Sequence, residues 1–565
     1  MVNLRANPFF LDDEGVKWVE DTIASMTVEE KIGQLFCPVG FTTDENVLKG
    51  MLDKGIGGMM YRSGPGAETQ KNHRFLQANA KIPLLLAANL EAGGTGVAAD
   101  GTDFAKPLQV AATDDPEQAY RLGYISCSEG AAVGCNWSFA PIVDIDMNWR
   151  NPITNLRTFG SDPKRVLAMG AAYMRGADEA GLAVSIKHFP GDGVDERDQH
   201  LHTTVNSLSA DEWTATYGMV YKGLIDKGAK TVMVAHIAQP DWAKKLNPAL
   251  TEKEAHLPAT LSKELMSGLL RGELGFNGLV VTDATPMLGF TCAMPRRDAV
   301  PYSISTGVDM FLFNKSFDED YEYMLDGYKN GVITEERLRD ALLRILGVKA
   351  SLGLHVKAAN GTLVPGPEAL DILGNDKFTA WARECADKAV TLVKDTGGIL
   401  PVTPEKYKRV ALFVSEGGDY FGATTGLEDT LKKEFEARGF EIVEPPAGGF
   451  TDKPVTVADF KSSIDLAIFA FDFPTASNNT VIRLIWKGGL MGGSTPWFSA
   501  EVPTMAVSFA NPYHLFDVPQ VSAMVNAYTN NKYVIPAALD KITGKSEFKG
   551  KSPVDPFCGC FDATL

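Results

Sequence analysis

Residues 181–206 read GLAVSIKHFPGDGVDERDQHLHTTVN. The first six are a short apolar run with the pattern of a buried parallel strand. Pro190, Gly191 and Gly193 then end regular structure. Lys187 and His188 fall where the strand runs out, and a long polar loop follows with Asp192, Asp195, Glu196, Arg197, Asp198, His200 and His202. Parallel α/β enzymes place their active sites at the C-terminal ends of strands. The plain alternative is a solvated surface loop.

Outward from this stretch, strand-like runs alternate with amphipathic helical ones. Strands are expected at 55–61, 83–89, 137–145, 183–187, 231–235, 278–282 and 309–313. Helices are expected at 12–27, 68–80, 116–134, 164–180, 211–227, 258–271 and 334–352. Thr27 and Glu30 have the spacing of a capping box, so a second helix starts there. This succession over residues 1–354 reads as a (β/α)8 TIM-type barrel or an irregular relative, with an open doubly wound sheet as the alternative. Residues 355–375 lack a period and hold two prolines and several glycines, which reads as an interdomain linker. Residues 376–565 read as a second α/β domain of sandwich type. It has a helix running into a strand over 376–394, strands at 410–415, 464–471 and 505–509, and helices at 427–438 and 521–529.

The chain has 565 residues, 45% hydrophobic and 22% charged, with a formal net charge of −17. That length argues for two domains. The acidic balance argues against nucleic acid or an anionic membrane as partner. No apolar stretch approaches the ~20 residues of a membrane helix, and no signal peptide is visible. The seven cysteines are odd in number and scattered, with only Cys558 and Cys560 close together, and read as reduced thiols. A cytoplasmic enzyme is the expectation. No metal or organic cofactor is implied, and the oligomeric state is open.

Two further stretches carry chemistry. In LGFNGLVVTDATPM (274–287), Asp283 follows an apolar strand, where a carboxylate can be held rigidly and partly desolvated, as a nucleophile must be. Taken alone, Asp283 reads equally well as the N-cap of a following turn. The stretch FAPIVDIDMNWRNPITNLRTFGSD (139–162) supplies Asp144 and Arg157, and Arg157 could clamp hydroxyls or a carboxylate or make a surface salt bridge. Asn89 and Glu91, in NLEAGG (89–94), lie at one more strand end. The glycines there are not a phosphate loop, since no GKS or GKT follows. The stretch GGLMGGSTPW (488–497) reads as an ordinary loop.

KHFPGDG at 187–193, Asp198-Gln199-His200 and LGFNGLVVTDATPM resemble family 3 glycoside hydrolases, in particular the β-N-acetylglucosaminidase branch. SMTVEEKIGQLF (25–36), NLEAGG, FAPIVDI (139–145), Arg157-Thr158-Phe159-Gly160 and VMVAHI (232–237) appear in the family's order. The resemblance implies Asp283 as nucleophile, His200 as general acid/base and Asp198 as the residue that orients it. It implies Lys187, His188, Arg157, Glu91 and Asn89 as sugar-binding residues. Three departures stand out: Asn89-Leu90-Glu91-Ala92-Gly93 replaces an Asp-Gln-Glu-Gly-Gly run, Asp192 stands where histidine is common, and Leu201-His202-Thr203 follows the dyad. The implied reaction is retaining cleavage of terminal β-linked N-acetylglucosamine through a covalent glycosyl-enzyme. With a histidine as base, phosphorolysis with inorganic phosphate as co-substrate is the alternative, and a catalytically silent sugar-binding protein is the third reading. The dyad's loop is expected to be flexible and to complete the site on substrate binding.

Overall fold

Short strands of two to seven residues, nearly all of them buried, build a curled parallel sheet. In the computed structural model, which describes residues 2–61, 63–417, 425–444, 455–474, 476–478, 483–486 and 495–565, the strands are β1 (Phe36–Cys37), β2 (Val39–Gly40), β3 (Gly58–Tyr61), β4 (Leu85–Ala88), β5 (Trp137–Ser138), β6 (Ala183–Phe189), β7 (Thr231–Val234), β8 (Leu279–Thr282) and β9 (Phe311–Leu312). Seven of them form one sheet in the order β8-β7-β6-β5-β4-β3-β2. Its ladders are parallel, with Leu279 opposite Thr231, Trp137 opposite Ala183 and Gly58 opposite Leu85. β9 pairs in parallel with β1, Phe311 against Phe36, and a parallel bridge joins Met310 to Val281. Strands buried on both faces and linked by helices are what parallel pairing requires, because each crossover lays a helix on the sheet.

The helices follow the sequence signals closely. Thr27 accepts from the Glu30 N–H at 3.2 Å while Glu30 returns a carboxylate to the Thr27 N–H at 3.0 Å, so the capping box is made. Helices Gly66–Asn79, Pro116–Ala132 and Pro163–Glu179 lie within two residues of expectation. The expected helix at 258–271 is instead a 3-10 turn, Ala259–Leu261, followed by a π-helical segment, Glu264–Glu273.

The chain divides into two compact units. The first comprises Met1–Phe104, Ala119–Thr154 and Asp162–Thr379, and the second Ala105–Gln118, Asn155–Ser161 and Ala380–Leu565. Residues 355–375, expected as a linker, belong to the first unit. They contain most of a helix, Leu354–Ala359, and a 3-10 turn, Pro367–Ile372. The turn begins at Pro367, whose missing N–H is no loss in a first turn.

The second unit holds a six-stranded sheet of β10 (Thr391–Asp395), β11 (Arg409–Glu416), β12 (Glu441–Ile442), β13 (Leu466–Asp472), β14 (Thr504–Ser508) and β15 (Ala523–Asn526). Their order is β10-β15-β14-β13-β11-β12, parallel except for β10. Its core is aromatic: Phe460 stacks on Phe498 at 4.3 Å and Phe413 on Phe469 at 4.7 Å. β15 corrects the expectation of a helix at 521–529. A short apolar run has no period that separates buried strand from helix, and here the neighbouring edge of β14 decides. Residues 488–494 of the expected loop at 488–497 lie outside the described residues.

Candidate active site

Lys187 and His188 are the turning point of β6. Ser185 and Ile186 pair with Thr231 and Val232, but Phe189 pairs with Val234, so β6 carries one residue more than its partner. Such a bulge re-aims side chains beside active sites. The peptide bonds Lys187–His188 and Phe189–Pro190 are cis. Lys187, only 3% exposed, donates to Glu91 Oε1 at 2.6 Å and reaches Asn89 Oδ1 at 3.5 Å. Lys187, Glu91 and Asn89 are thus brought together from the ends of β4 and β6.

His188 is held from behind. Asp144 Oδ2 meets its Nδ1 at 2.7 Å, and Asp144 Oδ1 accepts from the His188 N–H at 3.0 Å and the Asp192 N–H at 2.8 Å. The opposite ring nitrogen, Nε2, stands 4.0 Å from Asp283 Oδ2. Asp144, an acid just past β5, had no role assigned from sequence. It lies inside the run 137–145 read as strand, so no local pattern marked it.

Asp283 follows β8 directly. Its N–H donates to the Val234 carbonyl at 2.7 Å, and its Oδ1 accepts from the Ala284 N–H at 2.7 Å. It caps no helix: the next one, Leu288–Thr291, has Met287 at its N-cap. Burial pushes the Asp283 carboxyl up. The fields of His188, His236 and His200 and the Ala284 N–H outweigh this and hold it below the usual carboxylate value. His236, just past β7, was not singled out as a site residue. Its ring is fastened at both nitrogens, to Thr260 Oγ1 at 3.1 Å and the Ala284 carbonyl at 3.0 Å, and burial depresses it to about 4, so it is neutral near pH 7.

His200 and Asp198 pair as expected, with Asp198 Oδ1 at 2.7 Å from His200 Nδ1 and accepting the His200 N–H at 2.8 Å. The His200 side chain is 25% exposed and Asp198 is buried, and Nε2 is the ring nitrogen not bound to Asp198. The loop is hydrogen-bonded to the segment that follows β8. The His200 carbonyl accepts the Leu288 N–H at 2.9 Å, the Gln199 carbonyl the Gly289 N–H at 3.3 Å, and Thr203 Oγ1 donates to the Gly289 carbonyl at 2.8 Å. A Cβ at Gly289 would lie 2.7 Å from both the Gln199 and His202 carbonyls, so only glycine admits this contact. Asp195, for which the sequence suggested no role, accepts from Arg197 and from the Val205 N–H and folds the loop on itself. Gly193 has φ +109°, and a Cβ there would meet the Ile145 carbonyl at 1.9 Å. His202 is exposed.

Arg157 ends a 3-10 turn, Asn155–Arg157, in a segment that belongs to the second unit. Among the described residues no group of three or more His, Cys, Asp or Glu is placed to hold a metal, and no helix is long and apolar enough to cross a membrane.

An ionised carboxylate at a strand end, an imidazole paired with a buried aspartate and a Lys–Glu pair at two further strand ends are the groups this unit offers for chemistry. The model of the glycosyl hydrolase family 3 N-terminal domain matches residues 27–348, and the chain belongs to that family. It is 44% identical over its whole length, and over the whole of the relative, to a Cellulomonas fimi protein named beta-N-acetylglucosaminidase/beta-glucosidase. A solved structure named beta-glucoside phosphorylase BglX is 45% identical, covers 99% of each chain and superposes with a TM-score of 0.94. A family 3 beta-N-acetylglucosaminidase from Paenibacillus sp. superposes with a TM-score of 0.78 at 24% identity, over 94% of this chain and 99% of that one, a likeness of fold. The chain is therefore a family 3 enzyme acting on β-linked glycosides, with hexosaminidase, glucosidase and phosphorylase relatives.

Proposed function

We propose that the protein is a retaining glycoside phosphorylase. It removes a terminal β-linked glucosyl or N-acetylglucosaminyl residue and passes it to inorganic phosphate. Asp283 attacks the anomeric carbon while His200 Nε2–H protonates the leaving oxygen. Phosphate then displaces Asp283, giving a sugar 1-phosphate with the anomeric configuration kept. Asp198 stabilises the imidazolium that donates this proton; the ring is neutral in the glycosyl-enzyme and takes up a proton from the incoming phosphate as it attacks. Lys187, His188, Glu91 and Asn89 are assigned to the sugar. No metal or organic cofactor enters. We read the curled parallel sheet as a (β/α)8 barrel, a reading supported by the pairing of Phe36 with Phe311.

The observation that carries this reading is the imidazole at the acid/base position, paired to Asp198 at 2.7 Å. A carboxylate there would repel an incoming phosphate by about 4 kcal/mol at ~4 Å and intermediate dielectric, and a neutral imidazole does not. The 45% identity to a protein named as a beta-glucoside phosphorylase supports the acceptor, and the two-sugar name of the Cellulomonas fimi relative supports both donors. A charged sugar phosphate stays on the side of a membrane where it forms, which favours a cytoplasmic enzyme. Hydrolysis of β-N-acetylglucosaminides is the second reading, supported by that same relative's name.

The test is to incubate the protein with p-nitrophenyl β-glucoside and p-nitrophenyl β-N-acetylglucosaminide, with and without phosphate, and to identify the sugar product. A phosphate-dependent rate with sugar 1-phosphate is expected. Free sugar alone, at a rate indifferent to phosphate, establishes the hydrolase instead. No turnover, with Asp283→Ala binding sugar like wild type, leaves a silent binding protein.

A further inference from the structure

Gln199 stands between the two members of the Asp198–His200 pair and is almost wholly buried. Its amide is used at both ends: Nε2 donates to Asp192 Oδ2 at 3.3 Å, and Oε1 accepts the His236 N–H at 3.1 Å. Asp192 is itself fully engaged. Its Oδ1 accepts from Asn151 Nδ2 at 2.9 Å and from its neighbour Gly193 N–H at 2.7 Å, and its own N–H donates to Asp144 at 2.8 Å. Asp144 in turn holds His188, which faces Asp283. An unbroken run of hydrogen bonds therefore joins the acid/base loop to the nucleophile's surroundings, and Gln199 is its only member inside the dyad's own segment.

The residue types are matched. His236 N–H needs an acceptor and the Asp192 carboxylate needs a donor, and a carboxamide supplies both at once, whereas leucine supplies neither and an ionised glutamate only an acceptor. Burial, and then the neighbouring Asp144, push the Asp192 carboxyl up, so each N–H aimed at it counts.

We propose that Gln199 is a positioning residue, which registers the Asp198–His200 pair against Asp283 by binding Asp192 with one end of its amide and the His236 backbone with the other. This rests on His200 being the acid/base. A shift of ~1 Å in a proton donor can cost on the order of 100-fold in rate.

The test compares a methyl glycoside, whose leaving group needs protonation, with a 2,4-dinitrophenyl glycoside of the same sugar, whose leaving group does not. The ratio kcat/KM reports formation of the glycosyl-enzyme for both. Gln199→Leu is expected to lose about 30-fold or more on the methyl glycoside and less than about 3-fold on the dinitrophenyl glycoside. Asp192→Asn is the second variant. It keeps the shape, but in either orientation of the new amide an N–H meets an N–H, and about 10-fold selective loss is expected. Equal losses on both substrates overturn the proposal. If Gln199→Leu fails to fold, as judged by its melting curve, Asp192→Asn decides. His200→Ala runs in parallel: if it shows no selectivity for the poor leaving group, the acid/base assignment itself falls. If it is selective while the other two variants are not, only the role of Gln199 falls.

Discussion

Asp283 keeps its charge although burial works against it, because three imidazoles and a backbone N–H face it. Its carboxyl lies below the usual value near 3.9, so the ionised form is present above the folded value and is lost only when pH falls through it. The acid limb of kcat/KM above about pH 5 therefore belongs to another group, and a pH profile of fluorosugar labelling should stay flat down to about pH 5. Asp283→Asn should abolish that labelling and lower kcat/KM by at least about 10⁴-fold; surviving label would move the nucleophile elsewhere. His200→Ala should lose about 10²–10⁴-fold on poor leaving groups and far less on good ones. These proposed roles come from the residues and the resemblance. Asp144, His236 and Gln199 acquire their functions from partners 44, 48 and 37 positions away, and no local pattern marks them.

At the scale of elements, capping and buried charge hold the frame. The Thr27 capping box was legible because both partners lie within four residues, and Thr27→Ala should cost about 1 kcal/mol, read from chemical unfolding. Asp309 was not legible. It accepts from Arg271 at 2.6 Å, from Arg337 and from the Val280 N–H at 2.8 Å, with Arg344 at 3.6 Å, and so pins two helices to the start of β8. Asp309→Asn should destabilise by about 3–5 kcal/mol by leaving buried guanidinium groups uncompensated, seen as a lowered Tm. In the second unit Asp472, at the end of β13, accepts from Thr425 and Asn530, yet burial raises its carboxyl to about 6. A raised carboxyl binds its proton more tightly in the folded state. Its contribution is full below the unfolded value and is lost as pH rises through about 6. On the order of 2 kcal/mol should disappear between pH 4 and pH 8 in wild type, and the difference should shrink in Asp472→Asn.

For the whole molecule, membership of family 3 follows from order and spacing: the matched region runs from 27 to 348. The alternation of buried strands with amphipathic helices foretold a parallel α/β unit, because burial on both faces leaves near-continuous apolar runs. Only the folded chain decided where the first unit ends, since residues 355–375 look loop-like by composition yet contain helical turns that belong to that unit. Only the folded chain made 523–526 a strand, because pairing with β14 is a long-range choice. It alone showed the extra residue in β6 at Lys187 and His188, a matter of register between two strands. And it alone tied the His200 loop down at Leu288 and Gly289. Side-chain chemistry and its periodicity are properties of the sequence. Register, strand pairing and the partners of buried polar groups are set by contacts between distant residues, and those exist only once the chain has folded.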